Sequence, residues 1–209
     1  GEPWLATAPL ITMPEWHDKK VKYTLDYQEQ ARLFKELPDH LARAALFAIS
    51  TGSRDGEQRA LKWSWLREVP NVGSFFVIDS QHVKTQHVRV IALNATALSV
   101  LETCRGHHPE YVFTYKGQPF KYQFGKRSWR LARERAGLPD SFDWHAMRTT
   151  FASRMRAAGV PEWTRNRVLG HKRTSMADVY AQASLEELIE AVNAPERNRS
   201  SITILRAVG

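Results

Sequence analysis

One cysteine in 209 residues, Cys104, excludes an internal disulfide. Its place beside the apolar helical run from Ala95 to Leu101 makes it a packing residue rather than a nucleophile. No stretch approaches the roughly 18 to 20 continuous apolar residues that a spanning helix requires, and the amino end has no basic segment followed by an apolar one. Neither a membrane span nor a secretory leader is expected, which makes the cytoplasm the expected location. Internal repeats and low-complexity tracts are missing as well. His82, His87, His107 and His108 lack metal-ligand spacing with cysteine or carboxylates, so no metal and no other cofactor is expected. Acidic residues are the scarce charge. Twenty-two Asp and Glu against 30 Lys and Arg give a net charge of +8 and a pI near 9.8, which favours a polyanionic partner, nucleic acid before an anionic membrane.

With 43% hydrophobic and 25% charged residues, the chain has the composition of a globular protein long enough for one well-buried core. The charge is unevenly placed. Between Lys121 and Ser175 there are 13 Lys and Arg but four Asp and Glu, a surplus larger than that of the whole chain. That third is expected to carry most of a polyanion-facing surface, unless the run is only a solvated face.

Residues 1–20 lack periodicity and carry Pro3, Pro9 and Pro14, as a linker does. Asp26 and Glu29 form a capping box that opens a helix stopped by Pro38, and a second helix is expected from about His40 to Ser50, ended by Gly52. Ser53 is expected to cap a third helix from Arg54 to about Leu61, putting Arg54 in a first turn. Ser74 to Ile78 and Val88 to Leu93 read as a hairpin or small antiparallel sheet with Lys84 near its turn. Asn94 can cap the helix through Leu101, Tyr111 to Tyr115 reads as a short strand or extended run ending at Lys116-Gly117-Gln118-Pro119, and Tyr122 to Ala136 as a basic helix ended by Gly137. Asp143 can cap a helix to Ala158, Pro161 suits the first turn of a helix ending at Gly170, and a short helix is expected around Tyr180. Ser184 and Glu187 form another capping box, on a helix expected to stop before Pro195. The alternation in Ser201-Ile202-Thr203-Ile204-Leu205 predicts a short strand that needs a sheet edge or groove.

Among the polar residues, their order along the chain carries more than any one of them. His145-Ala146-Met147-Arg148 sets an imidazole and a guanidinium three apart on one helical face, within reach of one phosphate. Leu169-Gly170-His171 places a second imidazole where a helix meets a turn, and Tyr180 follows nine residues later. Upstream stands Thr51-Gly52-Ser53-Arg54-Asp55-Gly56-Glu57. Together these resemble the tyrosine recombinases of the phage-integrase family, from about Val21 to Val192. The family's Thr-Gly-x-Arg turn with an acidic residue three later fits Arg54 and Glu57. Its hairpin lysine fits Lys84 in Val83-Lys84-Thr85, with Lys62, Lys116 and Lys121 as the other candidates. Its His-x-x-Arg and Leu-Gly-His boxes fit His145, Arg148 and His171, and its nucleophile fits Tyr180. Ala146 and Thr149 depart from the pattern, which usually has an acidic residue and a further histidine there.

The resemblance implies an α+β fold, mainly helical with a small antiparallel sheet. It also implies a linker remnant at 1–20, a catalytic domain at 21–195 and a tail at 196–209. The implied activity is site-specific DNA recombination for integration or excision of a phage or other mobile element in a bacterial host. Arg54 and Arg148 would grip the phosphate, and Glu57 would hold Arg54 unless it is a solvated carboxylate. His145 and His171 would add hydrogen bonds and move the tyrosine proton, Lys84 would protonate the departing 5′ oxygen, and Tyr180 would form a 3′-phosphotyrosine. Implied partners are double-stranded attachment sites, three further copies of the chain in a tetramer, and a directionality factor. The tail strand would dock on its own subunit or on a neighbour. Two other readings are a type IB topoisomerase-like enzyme and a catalytically silent DNA-binding module.

Overall fold

The computed structural model describes residues 23–79, 88–171 and 184–207, with side chains up to residue 198; Lys84 and Tyr180 lie outside the described residues, as does the helix expected around Tyr180. The fold is α+β. Helices α1 (Tyr27–Glu36), α2 (Asp39–Thr51) and α3 (Asp55–Arg59) lead into a 3-10 turn (Trp63–Trp65) and strands β1 (Leu66–Val69), β2 (Gly73–Ile78) and β3 (Arg89–Ala92). Helix α4 (Ala95–Cys104), a two-stranded ribbon of β4 (Thr114–Tyr115) and β5 (Gln118–Pro119), and helices α5 (Lys126–Arg135), α6 (His145–Ala157), α7 (Glu162–Leu169) and α8 (Leu185–Ala207) follow.

Strand β2 is central, antiparallel to both neighbours, with Leu66 opposite Phe76 and Phe75 opposite Ala92. Successive side chains on a strand point to opposite faces, yet Phe75 and Phe76 are both buried. The sheet is therefore covered on both sides. Phe76 and Ile91 join the larger core with Leu33, Leu41, Phe47, Leu101 and Met147. Phe75 and Ala92 join a second core with Phe151, Met155, Leu169, Leu188 and Val192. Cys104 is 2% exposed within the larger core, and burial pushes its thiol pKa up, as suits a packing residue. Among the described residues no helix is long and apolar enough to cross a membrane.

The caps at Asp26, Asn94 and Ser184 form as expected, each side chain accepting a backbone N–H of the first turn. Other expectations need correction. Ser53 does not cap α3. Arg54 holds the N-cap position, and the Glu57 carboxylate accepts from its backbone N–H at 3.0 Å. Strand β1 was not foreseen, since Leu66-Arg67-Glu68-Val69 has apolar residues only at its ends. Tyr111 forms only an isolated bridge to Lys62, and the local strand pair closes around Lys116-Gly117, both at positive φ. Helix α5 starts at Lys126 rather than Tyr122 because Gly125 takes a left-handed conformation, where a side chain would strike Leu41.

The largest correction is at the carboxyl end. Helix α8 continues through Pro195 to Ala207, so Ser201 to Leu205 is helical rather than a strand. A proline removes one hydrogen bond of a helix but does not end it where the preceding turn is held by packing, and Ala191, Val192 and Pro195 are all buried. Five alternating residues are too few to separate a period of two from one of 3.6.

Candidate active site

Two helix ends meet a third helix at the site. Gly52 closes α2 in the left-handed conformation, and a Cβ there would lie 2.7 Å from Leu169 and 2.8 Å from Phe151. The end of α2 therefore packs directly on α6 and on the last residue of α7. Both helices leave carbonyls without intrahelical partners at their negative ends. Arg148, from α6, fills the gap. Its Nη1 donates to the Gly52 carbonyl at 2.6 Å and its Nη2 to the Leu169 carbonyl.

Arg54 approaches from the other side. Its Nη2 donates to the Gly170 carbonyl at 3.0 Å, and its Nη1 pairs with Glu57 Oε1 at 2.7 Å. Arg148 and Arg54 thus bind carbonyls of consecutive residues, which makes their guanidinium groups neighbours. Arg148 is 4% exposed, whereas the Arg54 side chain retains 34% and opens the cluster to solvent. Burial, then the charges of Arg54 and Arg89, push the Arg148 pKa down to about 9, which leaves it protonated at neutral pH.

Arg89, at the start of β3, is the residue that sequence reasoning missed. It is buried, and its Nε lies 3.4 Å from Glu57 Oε2, so Glu57 bridges two arginines. Burial alone would raise the Glu57 pKa, but the Arg89 charge and the hydrogen bonds from Arg54 outweigh it and hold the carboxylate below its usual range. A signal was present, because the strand period puts Arg89 on the same face as buried Ile91. A charge at an inward strand position implies a buried partner.

His171 follows the left-handed turn at Gly170, exposed, with Nδ1 3.0 Å from the Asn166 side-chain oxygen. If Nδ1 carries the proton to that oxygen, Nε2 is the nitrogen presented outward. His145 is the first residue of α6 and is exposed. Asp143 accepts from the Ala146 N–H at 3.0 Å, and Trp144 packs between Phe124 and Trp129, with ring centroids 4.6 and 5.0 Å away, which fixes that helix start. His145 and Arg148 share a helix but not an environment, since the arginine is drawn inward by two carbonyls. Lys62 is committed elsewhere, to Glu110 at 2.7 Å, and Lys116 lies over the Tyr115 ring. His108 Nδ1 accepts two backbone N–H groups of its own turn. Arg54, Glu57, Arg89, Arg148 and His171 are therefore gathered around the ends of α2 and α7.

Three buried or half-buried guanidinium groups stand around a single carboxylate that pairs with two of them, so the cluster has an unbalanced positive charge and suits a doubly coordinated oxyanion. Fold and site together define a mainly helical α+β protein with a cationic arginine cluster at a junction of helix ends. The chain belongs to the phage integrase family, which residues 23–187 match. It is 31% identical over 198 residues to the integrase of Salmonella phage P22, covering 89% of this chain and 50% of that protein. It is 25% identical over 226 residues to a tyrosine recombinase XerC-like protein of Caldanaerobacter subterraneus subsp. tengcongensis, covering 89% and 58%. The chain thus spans little more than half the length of these relatives. Its fold is similar to the lambda integrase catalytic core, with a TM-score of 0.56 and 21% identity over 73% of this chain and 94% of that one. It is also similar to the Tn1549 transposon integrase in complex with circular intermediate DNA, with a TM-score of 0.58 and 20% identity over 81% and 64%.

Proposed function

We propose that this chain is the catalytic part of a site-specific DNA recombinase, cleaving and rejoining DNA strands through a covalent tyrosine intermediate. The observation that carries the reading is the pairing of Arg54 and Arg148 on the carbonyls of Gly170 and Leu169, one fork half-exposed and the other locked behind it. A phosphodiester in front of Arg54 would meet permanently charged donors that need no rearrangement as charge builds in the transition state. His171 and His145, both exposed, would donate to the same phosphate or carry the phenol proton. Tyr180 would attack phosphorus, its phenolate favoured by the surrounding cations, and form a 3′-phosphotyrosine. Lys84 would protonate the departing 5′ oxygen. The phosphoester bond keeps the energy of the broken strand, so a 5′ hydroxyl from a second duplex can complete exchange without ATP.

Double-stranded DNA is the proposed partner. Exposed Lys121, Lys126 and Arg127 would hold its backbone, and the bond from Arg59 Nη1 to the Lys121 carbonyl at 3.2 Å sets that segment beside α3. Four protomers on two attachment sites, a directionality factor and a cytoplasmic setting in a bacterial host belong to the same proposal, as do a linker before the catalytic region and a tail after it. The lambda integrase has been solved as a tetramer bound to a Holliday junction, which supports the assembly. The test is SDS gel electrophoresis after incubation with nicked duplexes carrying candidate attachment sites. Wild type should give a DNA-linked band, and Tyr180→Phe should bind the same duplex with no such band. A covalent band from the Phe variant would refute the assigned nucleophile.

A further inference from the structure

Arg89 has no place in the proposed chemistry, yet it is as deeply enclosed as Arg148. It is 4% exposed. Its guanidinium has three anchors: Nε faces Glu57 at 3.4 Å, Nη1 donates to the Val90 carbonyl at 2.6 Å, and the side chain packs beneath Gly170. A Cβ at Gly170 would come within 2.9 Å of both Cδ and Nε of Arg89, so only glycine lets the turn before His171 close over it. Nη2 is buried and, among the described residues, has no hydrogen-bond partner. An arginine kept for stability alone would have its fork satisfied, because an unmet buried donor is costly. Charge beside Glu57 is what this residue supplies.

We infer that Arg89 is a positioning residue for strand cleavage: from strand β3 it fixes the Glu57 carboxylate, and through it the guanidinium fork of Arg54. The inference rests on the cleavage reaction proposed above. Glu57 meets Arg54 at the start of its own helix and Arg89 from β3, and its charge also acts on Arg148 of α6. With Arg89 gone, burial favours the neutral acid, and a protonated Glu57 grips Arg54 more weakly. Arg54 then no longer keeps one edge on Glu57 and the Gly170 carbonyl while presenting the other outward. Because β3 also follows the segment that contains Lys84, the same contact ties that strand to the turn before His171.

The experiment uses the full-length protein with Arg89→Met, Arg89→Lys, Glu57→Gln and the double variant Glu57→Gln/Arg89→Met. Carbon-13 NMR follows the Glu57 carboxyl, and single-turnover cleavage of a nicked attachment duplex is measured at saturating protein across pH. In Arg89→Met the Glu57 titration should move to higher pH, as should the acidic limb of cleavage. The cleavage rate should fall by about tenfold or more while the DNA Kd stays within about twofold, since the lost interaction acts in the transition state. Arg89→Lys should restore the titration and most of the rate. The double variant should be no slower than Glu57→Gln alone, which also decides the matter if Arg89→Met does not fold. An unmoved Glu57 titration, or a double variant more than about threefold slower than Glu57→Gln, would overturn the inference, because residues acting through one chain of contacts are non-additive. If wild type forms no adduct on any duplex, the recombinase reading fails while the carboxyl titration still tests the Arg89 link.

Discussion

Replacing Arg148 with methionine separates what this residue does for the fold from what it does for chemistry. Bringing the Arg148 pKa down from the ordinary arginine value to about 9 corresponds to roughly 5 kcal/mol of unfavourable burial and repulsion, at about 1.4 kcal/mol per unit. That cost is present in full below pH 9, where both folded and unfolded forms are protonated, and it fades as pH rises above 9. Against it stand two charge-assisted bonds, to the carbonyls of Gly52 and Leu169, worth about 1.5 to 3 kcal/mol each. The opposing contributions nearly cancel. Arg148→Met should change stability at neutral pH by no more than about 2 kcal/mol, or a Tm shift of roughly 8 °C or less for a chain of this size. Cleavage has no such offset. In the proposed cleavage, a donor aimed at developing charge is worth about 10² to 10³ in rate, and a buried arginine beside Arg54 should reach the upper figure. Thermal unfolding and single-turnover cleavage on one preparation check both numbers. A variant that fails to fold, or one that cleaves within tenfold of wild type, would refute the balance.

Inorganic phosphate or sulfate should raise the Tm more than chloride at equal ionic strength, because an anion relieves the crowding of Arg54, Arg89 and Arg148; the gain should vanish in Arg54→Ala. The Glu57 pKa is depressed in the fold, so its stabilisation is complete above the ordinary value of 4.5 and is lost as pH falls below it. Urea unfolding of wild type and Glu57→Gln should therefore differ at pH 7 and converge toward pH 3, and a constant difference would contradict the buried pairing. Removing residues 199–209 should leave Tm nearly unchanged, since among the described side chains those that α8 buries run from Leu188 to Pro195. The same deletion, in the full-length protein, should impair strand exchange more than single-site DNA binding. Unchanged exchange would mean that the end of α8 takes no part in assembly.

Short-range chemistry in the sequence determined most of the elements. Asp26 with Glu29, Asn94, Ser184 with Glu187, and the glycines at 52, 137 and 170 act within one turn of themselves, and β-branched and aromatic residues marked β2 and β3. The order of Arg54, His145, Arg148, His171 and Tyr180 identified the family in the same way, because reaction chemistry fixes residue types more tightly than packing does. Three matters needed the tertiary structure. Which way Arg148 points depends on the carbonyls of Gly52 and Leu169, which lie 96 and 21 residues away and meet only when α2 and α7 pack on α6. Arg89 gains its meaning from Glu57, 32 residues earlier, so a local reading sees only a charged residue in a strand. The fate of Pro195 and of Ser201 to Leu205 was decided by burial of the helix before them, where the energy of packed side chains outweighs the local preference of a proline and of five alternating residues.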